Sequence, residues 1–445
     1  MVNRYNVATG RKVKVTIGPG SLRGSLLIPA SKSHTIRALL IATMAHGESV
    51  IRNPLDSADT RSCIDACRAL GARIAESPAD AAKGRPGEMR VTGTGGRIVA
   101  PARAIDVGNS GTTLYLAAGV AALGAGPITL TGDHQIQARP FAPLLAALAD
   151  LGAAATAHRG NGRAPATITG PLSGGRTTIE CTTSQYLSSL LLAAPLALGT
   201  SEIDVPLLNE RPYAEMTLRW LDEQGVQYRN VGFKRFEVDG GQHYKPFDRA
   251  MPGDFSSATF FLCAAALTGS TLTLEGLDME DSQGDKEVVQ ILERMGCIAE
   301  VNGAGLTIHG PGSGPNRAPS LRGCDIDLNS MPDALPALAV TGCFAEGTTR
   351  LLNVPQAREK ETDRIAVMHR ELEKMGAHVR ELPDGLVIEG SPLHGARVDG
   401  HGDHRVVMAL AIAGLGASGT TEIEGSEAAS VTFPSFFELL NLSSL

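Results

Sequence analysis

The chain has 445 residues, 43% of them hydrophobic and 20% charged, with a formal net charge of -7. That length supports two or three domains with large cores, and the acidic balance argues against a dedicated nucleic-acid or anionic-membrane binder. Seven cysteines in a long chain do not make a disulfide framework.

The opening 1-MVNRYNVATGRKVKV-15 lacks an apolar run, so no secretory signal is expected. The longest apolar stretch, 114-LYLAAGVAALGAG-126, is too short to span a bilayer, and a cytoplasmic protein is expected. The first strong element, 31-SKSHTIRALLIATMAHG-47, is apolar on nearly every side beyond its opening and predicts a buried helix ending at a glycine. After it, 63-CIDACRALGARI-74 reads as an amphipathic helix, a Gly cap and a strand. Cys63 and Cys67 have no second Cys/His pair nearby, so buried thiols are expected there and no metal site. The glycines of 92-TGTGGR-97 lack both the P-loop Gly-Lys-Ser/Thr and the dinucleotide spacing.

Both helix patterns then return along the chain. The buried type recurs at 109-NSGTTLYLAAGVAALGAG-126, 183-TSQYLSSLLLAAPLALG-199, 254-DFSSATFFLCAAALTG-269, 333-DALPALAVTGCFAEG-347 and 403-DHRVVMALAIAGLGASG-419. The amphipathic type recurs at 144-LLAALADLGAAAT-156, 218-LRWLDEQGVQYR-229, 291-ILERMGCIAEV-301 and 371-ELEKMGAHVRE-381. In each series the terminal glycines come roughly every 70–80 residues, which predicts six copies of one α/β unit. Three buried helices enclosed by sheet make one domain, and six make two similar domains.

Buried helices that run alike gather their N-termini at one end, where helix dipoles and unpaired N–H groups suit anions. The openings carry Lys32, Ser33 and Arg37; Asn109, Ser110 and Gly111; Thr183, Ser184 and Gln185; then Asp254, Asp333, and Asp403 with His404 and Arg405. Asp254 and Asp403 read as N-caps. Lys32, Arg37 and Arg405 are donors where the helix already presents donors, and an anionic ligand resolves that conflict. Arg139 precedes a Pro suited to a first helical turn, and Lys360, Glu361 and Arg364 can share one helical face. Several cations suggest a substrate with more than one phosphate or carboxylate, and two acids beside them suit proton transfer.

The stretches SKSHTIRALL, GNSGTT, LTGD…ARP, TSQYLSSLLLAAPLA, MPDALPALA, REKETDRI and GDHRVVMALA resemble, in order and over nearly the whole chain, those of the EPSP synthase family (3-phosphoshikimate 1-carboxyvinyltransferases). The resemblance implies an inside-out α/β barrel in each of two domains, 22–250 and 1–21 with 251–445, crossings near 21–24 and 248–253, and an active site in the cleft between them. It implies transfer of the enolpyruvyl group of phosphoenolpyruvate to the 5-hydroxyl of shikimate 3-phosphate by a monomer needing no metal or organic cofactor. Lys32 would touch both substrates, Ser33 and Arg37 would hold the shikimate part, and Gln185 would lie against its ring. Thr183, Ser184 and Lys360 would bind its phosphate. Arg139, Arg364 and Arg405 would grip phosphoenolpyruvate, with Asn109 and Gly111 lining its site. Asp333 would take the hydroxyl proton, and Glu361 would protonate the methylene carbon.

The chain departs from the family pattern at Tyr115, where the motif usually reaches an Arg, and at Glu210, where a Ser or Thr is usual. One removes a cation and the other adds an anion; Arg211 matches a basic residue of the family and is expected to compensate. The alternatives are an enolpyruvyl transferase using another phosphorylated alcohol, such as a nucleotide or cyclitol, and a non-catalytic anion-binding relative.

Overall fold

A computed structural model describes residues 13–79, 86–303, 305–312 and 320–444. The start of the opening segment, where no secretory signal is expected, lies outside them. In chain order the α-helices among these residues are α1 (Lys32–Met44), α2 (Ala58–Ala69), α3 (Gly111–Ala121), α4 (Ala142–Asp150), α5 (Ser184–Ala193), α6 (Arg211–Gln224), α7 (Phe255–Leu267), α8 (Glu287–Arg294), α9 (Leu335–Cys343), α10 (Arg364–Lys374), α11 (His404–Gly416) and α12 (Phe436–Ser443).

The odd-numbered helices are the apolar series. Every residue of α3 and α9 is buried, and so is α1 from His34 to Met44. A helix without a polar face has no stable place at the surface, so it becomes the core. The even-numbered helices from α2 to α10 bury one stripe; α8 buries Val288, Val289, Ile291 and Leu292 and exposes Glu287, Gln290, Glu293 and Arg294. Each of these five stops at a glycine with positive φ: Gly71, Gly152, Gly225, Gly296 and Gly376, at 73° to 110°. The chain there turns into a strand through left-handed backbone that a Cβ would disfavour.

The sheets follow the same unit. In the second, Ile105–Asp106 enters α3 and pairs in parallel with Ile128–Thr131, which leaves it. Ala166–Thr169 and Ala154–Ala157 extend this sheet as antiparallel neighbours. Strands such as Ser201–Leu208 alternate buried and less buried residues, as a sheet with one face on a core must. The helices thus lie inside and the sheets outside.

Two entering strands are exchanged. Ser25–Leu27, which precedes α1, pairs with Thr271–Glu275 after α7, and Asp248–Ala250, which precedes α7, pairs with Glu48–Arg52 after α1. The N-terminal strand Lys14–Ile17 completes the sixth sheet against Thr421–Glu424. These pairings divide the chain into a central unit, Ala30–Pro252, and a terminal unit, Met1–Pro29 with Gly253–Leu445. The first crossing therefore falls at Pro29–Ala30 and not at 21–24, because Ser25–Leu27 is held in the terminal unit by its ladder. Each unit has its own core, the central one around α1, α3 and α5 and the terminal one around α7, α9 and α11.

Candidate active site

In the terminal unit the helix openings meet through one guanidinium. Arg364, the first residue of α10, is fully buried. It donates from Nη1 to Asp333 Oδ1 (2.7 Å), from Nη2 to Glu361 Oε2 (2.6 Å) and from Nε to Asp403 Oδ2 (2.8 Å). Asp333 sits on the 3₁₀ turn Pro332–Ala334 that leads into α9, and Asp403 is the N-cap of α11. Burial opposes the charge of Arg364, but the carboxylates of Asp403, Glu361 and Asp333 outweigh it and raise its pKa. Arg405, in the first turn of α11, pairs with the other Asp333 oxygen at 2.9 Å and donates from Nη1 to the Ser256 carbonyl of α7. Asp333, Glu361, Arg364 and Arg405 are thereby one network. Asp333 and Glu361 keep 20% and 10% of their side chains exposed, against 1% for Arg364, so solvent-borne groups can reach the acids. Lys360 is half-buried beside Glu361.

In the central unit the openings of α3 and α5 touch, with Gln185 Nε2 donating to Thr112 Oγ1. The buried Arg139 guanidinium lies against Gly111, where a Cβ would collide with it. The absent side chain of Gly111 thus makes room for Arg139. Asn109 Nδ2 donates to Asp133 Oδ2 (2.6 Å) and to Gln135 Oε1. Lys32, the first residue of α1, pairs with Asp59 in the first turn of α2 at 3.0 Å. Ser33 beside it is half-buried.

Three residues differ from expectation. The Arg37 guanidinium is taken up by the surrounding helices. It is 1% exposed and donates to Thr217 Oγ1, the Ser33 carbonyl, Ser188 Oγ and the Tyr213 carbonyl. Burial pulls its pKa down to about 10, which leaves it charged at neutral pH and tying α1 to α5 and α6. Arg211 does not compensate Glu210; its Nε donates to Glu215 one turn along α6, and its guanidinium stacks 4.1 Å from the centre of the Phe233 ring. Tyr115 removes a cation but gains a role, since its hydroxyl and that of Tyr186 both donate to the Pro140 carbonyl (2.8 and 2.9 Å), next to Arg139.

Glu210 Oε2 accepts from Thr183 Oγ1 (2.9 Å), Ser184 N (3.2 Å) and Ser184 Oγ (3.1 Å). The sequence reads Glu210 as an added anion, and its carboxylate lies on the two residues expected to bind a phosphate. In sequence Asp403 reads only as an N-cap, and nothing local singles out Asp59 or Asp133. Their partners lie 24 to 39 residues away or on another helix, which no local pattern reveals. Asp254 is the N-cap of α7, accepting from Ser257 N and Oγ. Among the described residues no group of three or more His, Cys, Asp and Glu is placed to hold a metal ion, and no helix is long and apolar enough to cross a membrane.

Residues 17–440 match the family model described as EPSP synthase (3-phosphoshikimate 1-carboxyvinyltransferase). A 3-phosphoshikimate 1-carboxyvinyltransferase of Acetivibrio thermocellus is 52% identical over 418 residues, covering 94% of this chain and 95% of its own length. One from Ruminiclostridium cellulolyticum is 50% identical over 417 residues, with coverages of 94% and 95%. Among solved structures, EPSP synthase from Acinetobacter baumannii superposes with a TM-score of 0.79 at 30% identity, covering 97% of this chain and 98% of its own. The enolpyruvyl transferase NikO of Streptomyces tendae shares the fold, with a TM-score of 0.78 at 20% identity and 98% coverage of both chains.

Proposed function

The chain belongs to the EPSP synthase family, and on that premise we propose how its own residues carry the reaction. It transfers the 1-carboxyvinyl group of phosphoenolpyruvate to the 5-hydroxyl of shikimate 3-phosphate and releases phosphate. The hydroxyl oxygen adds to C2 of phosphoenolpyruvate while C3 gains a proton, giving a tetrahedral intermediate. Elimination then removes a proton from C3 and expels phosphate. A base near the hydroxyl, a proton carrier near C3 and cations near the phosphate are required.

Asp333 serves as the base and Glu361 as the carrier at C3. The observation that carries this assignment is the shared hydrogen bonding of both carboxylates to Arg364, which holds two acids at a fixed spacing. Arg364 and Arg405 offer cationic donors to phosphoenolpyruvate, with Arg139, Asn109 and Gly111 assigned to the same substrate. Lys32 touches both substrates and assists proton transfer. Ser33 and Gln185 hold the shikimate ring, and Thr183, Ser184 and Lys360 its phosphate. Arg37 steadies the shikimate end of α1 through its bond to the Ser33 carbonyl, and the Arg211 guanidinium is turned to Glu215 and Phe233. The reaction is assigned to a cytoplasmic monomer.

Phosphate release from phosphoenolpyruvate and shikimate 3-phosphate tests the reading. Wild-type protein is expected to release phosphate, and Asp333→Asn and Lys32→Ala to lose about 100-fold or more in rate while melting as folded proteins. Release with a nucleotide or cyclitol phosphate but not with shikimate 3-phosphate would move the acceptor. Binding of phosphoenolpyruvate without turnover of any acceptor would make the chain a binding protein.

A further inference from the structure

The N-terminus of α5 already holds an anion that belongs to the chain. Three donors converge on one oxygen of Glu210: a threonine hydroxyl, a serine hydroxyl and a backbone N–H in the first turn of a ten-residue helix. A phosphate oxygen asks for the same donors, because helix N-termini and hydroxyls receive carboxylates and phosphates alike. Glu210 is 2% exposed and stands in left-handed backbone, φ 56° and ψ 39°, as the residue before α6. That conformation is disfavoured for any side chain with a Cβ, so the contacts of the carboxylate hold the residue in place. Arg211 does not accompany it toward α5, being engaged with Glu215 and Phe233.

We propose that Glu210 is a specificity-determining residue that competes, as a built-in carboxylate, with the acceptor's phosphate for Thr183 and Ser184. The inference rests on the assignment of those two residues to the acceptor phosphate. An anionic acceptor enters only by turning the Glu210 side chain away, because two anions cannot share one set of donors without mutual repulsion. Part of the phosphate's binding energy is spent on that displacement, so the phosphate contributes less to acceptor affinity than Thr183, Ser184 and Lys360 would together give it. The site therefore discriminates weakly between phosphorylated and unphosphorylated acceptors, and a residue without a carboxylate at position 210 restores the discrimination.

Two variants separate charge from shape. Glu210→Gln keeps the size and removes the charge, and Glu210→Gly empties the position and suits its backbone. Calorimetric titration with inorganic phosphate is expected to show affinity rising about tenfold in Glu210→Gly, with Glu210→Gln in between. KM for shikimate 3-phosphate at saturating phosphoenolpyruvate falls by a similar factor, and KM for phosphoenolpyruvate stays within about twofold. Adding Ser184→Ala to Glu210→Gly abolishes the gain; a gain that survives would mean phosphate binds elsewhere and would overturn the proposal. Unchanged or weaker phosphate affinity in both folded variants would also overturn it, leaving Glu210 as a structural tie.

If neither variant folds, the wild type decides. Shikimate 3-phosphate should bind it less than about tenfold more tightly than shikimate, and a larger preference contradicts the competition. Because the phosphate titration needs no turnover, a wild type that releases no phosphate with shikimate 3-phosphate would sink the acceptor assignment alone. Normal turnover with an unmoved phosphate affinity would sink only the role of Glu210.

Discussion

Buried charge in this protein is arranged so that few groups do several tasks. Asp403 caps α11 through the Arg405 N–H and also binds Arg364, so one carboxylate fixes a helix start and orients the guanidinium that holds Asp333 and Glu361. Glu371, two turns further along α10, supports the approach to that cap. Its side chain is fully buried and accepts from the Asp399 N–H and from Lys374, with His401 Nε2 2.8 Å away. Burial works against its charge, but these partners outweigh it and hold the Glu371 carboxyl below the usual carboxylate range. A carboxyl with a lowered folded pKa contributes stability that is complete above its unfolded pKa and lost as pH falls through the folded value. Glu371→Gln is therefore expected to be less stable than wild type at neutral pH, by about 1–3 kcal/mol, with the difference shrinking in acid below the ordinary carboxylate range. Urea denaturation at a series of pH values checks it; a difference that grows in acid would contradict the assignment.

Among the elements, the glycines that end the amphipathic helices show two distinct costs. Gly225, at φ 73°, has only the tip of Lys245 within 4 Å of a would-be Cβ, so Gly225→Ala meets backbone strain alone. At Gly152, φ 100°, the same Cβ would strike Ser173 and its backbone N. Melting experiments should find Gly225→Ala destabilised by about 1–2 kcal/mol and Gly152→Ala by clearly more. Equal losses would mean that the loop carrying Ser173 yields at no cost. The tyrosine pair belongs to this scale too, since Tyr115 of α3 and Tyr186 of α5 clamp a single carbonyl and join two buried helices beside Arg139.

The whole molecule is two cores on one chain that leaves and re-enters the terminal unit. Each core is built from its own three buried helices, so damage in one should be felt there first. Leu338 is fully buried in α9. Leu338→Ala should cost about 2–5 kcal/mol and speed amide hydrogen exchange across 253–445, while protection in the core helices of 30–252 is retained. Uniform acceleration over both units would show that they unfold as one cooperative body.

The sequence by itself determined the repeat, the two kinds of helix and the glycine stops. All of these depend on composition and spacing within a few turns of chain, where periodicity decides which face is apolar. Tertiary structure decided the rest. Only the folded chain shows that Arg37 is spent inside, that Arg211 turns to Phe233, and that Ser25–Leu27 joins a strand beginning 244 residues after its own end. The orientation of a long charged side chain is set by partners brought near from distant sequence. At Glu210 those partners, Thr183 and Ser184, turn what reads as an added anion into the one that fills the end of α5.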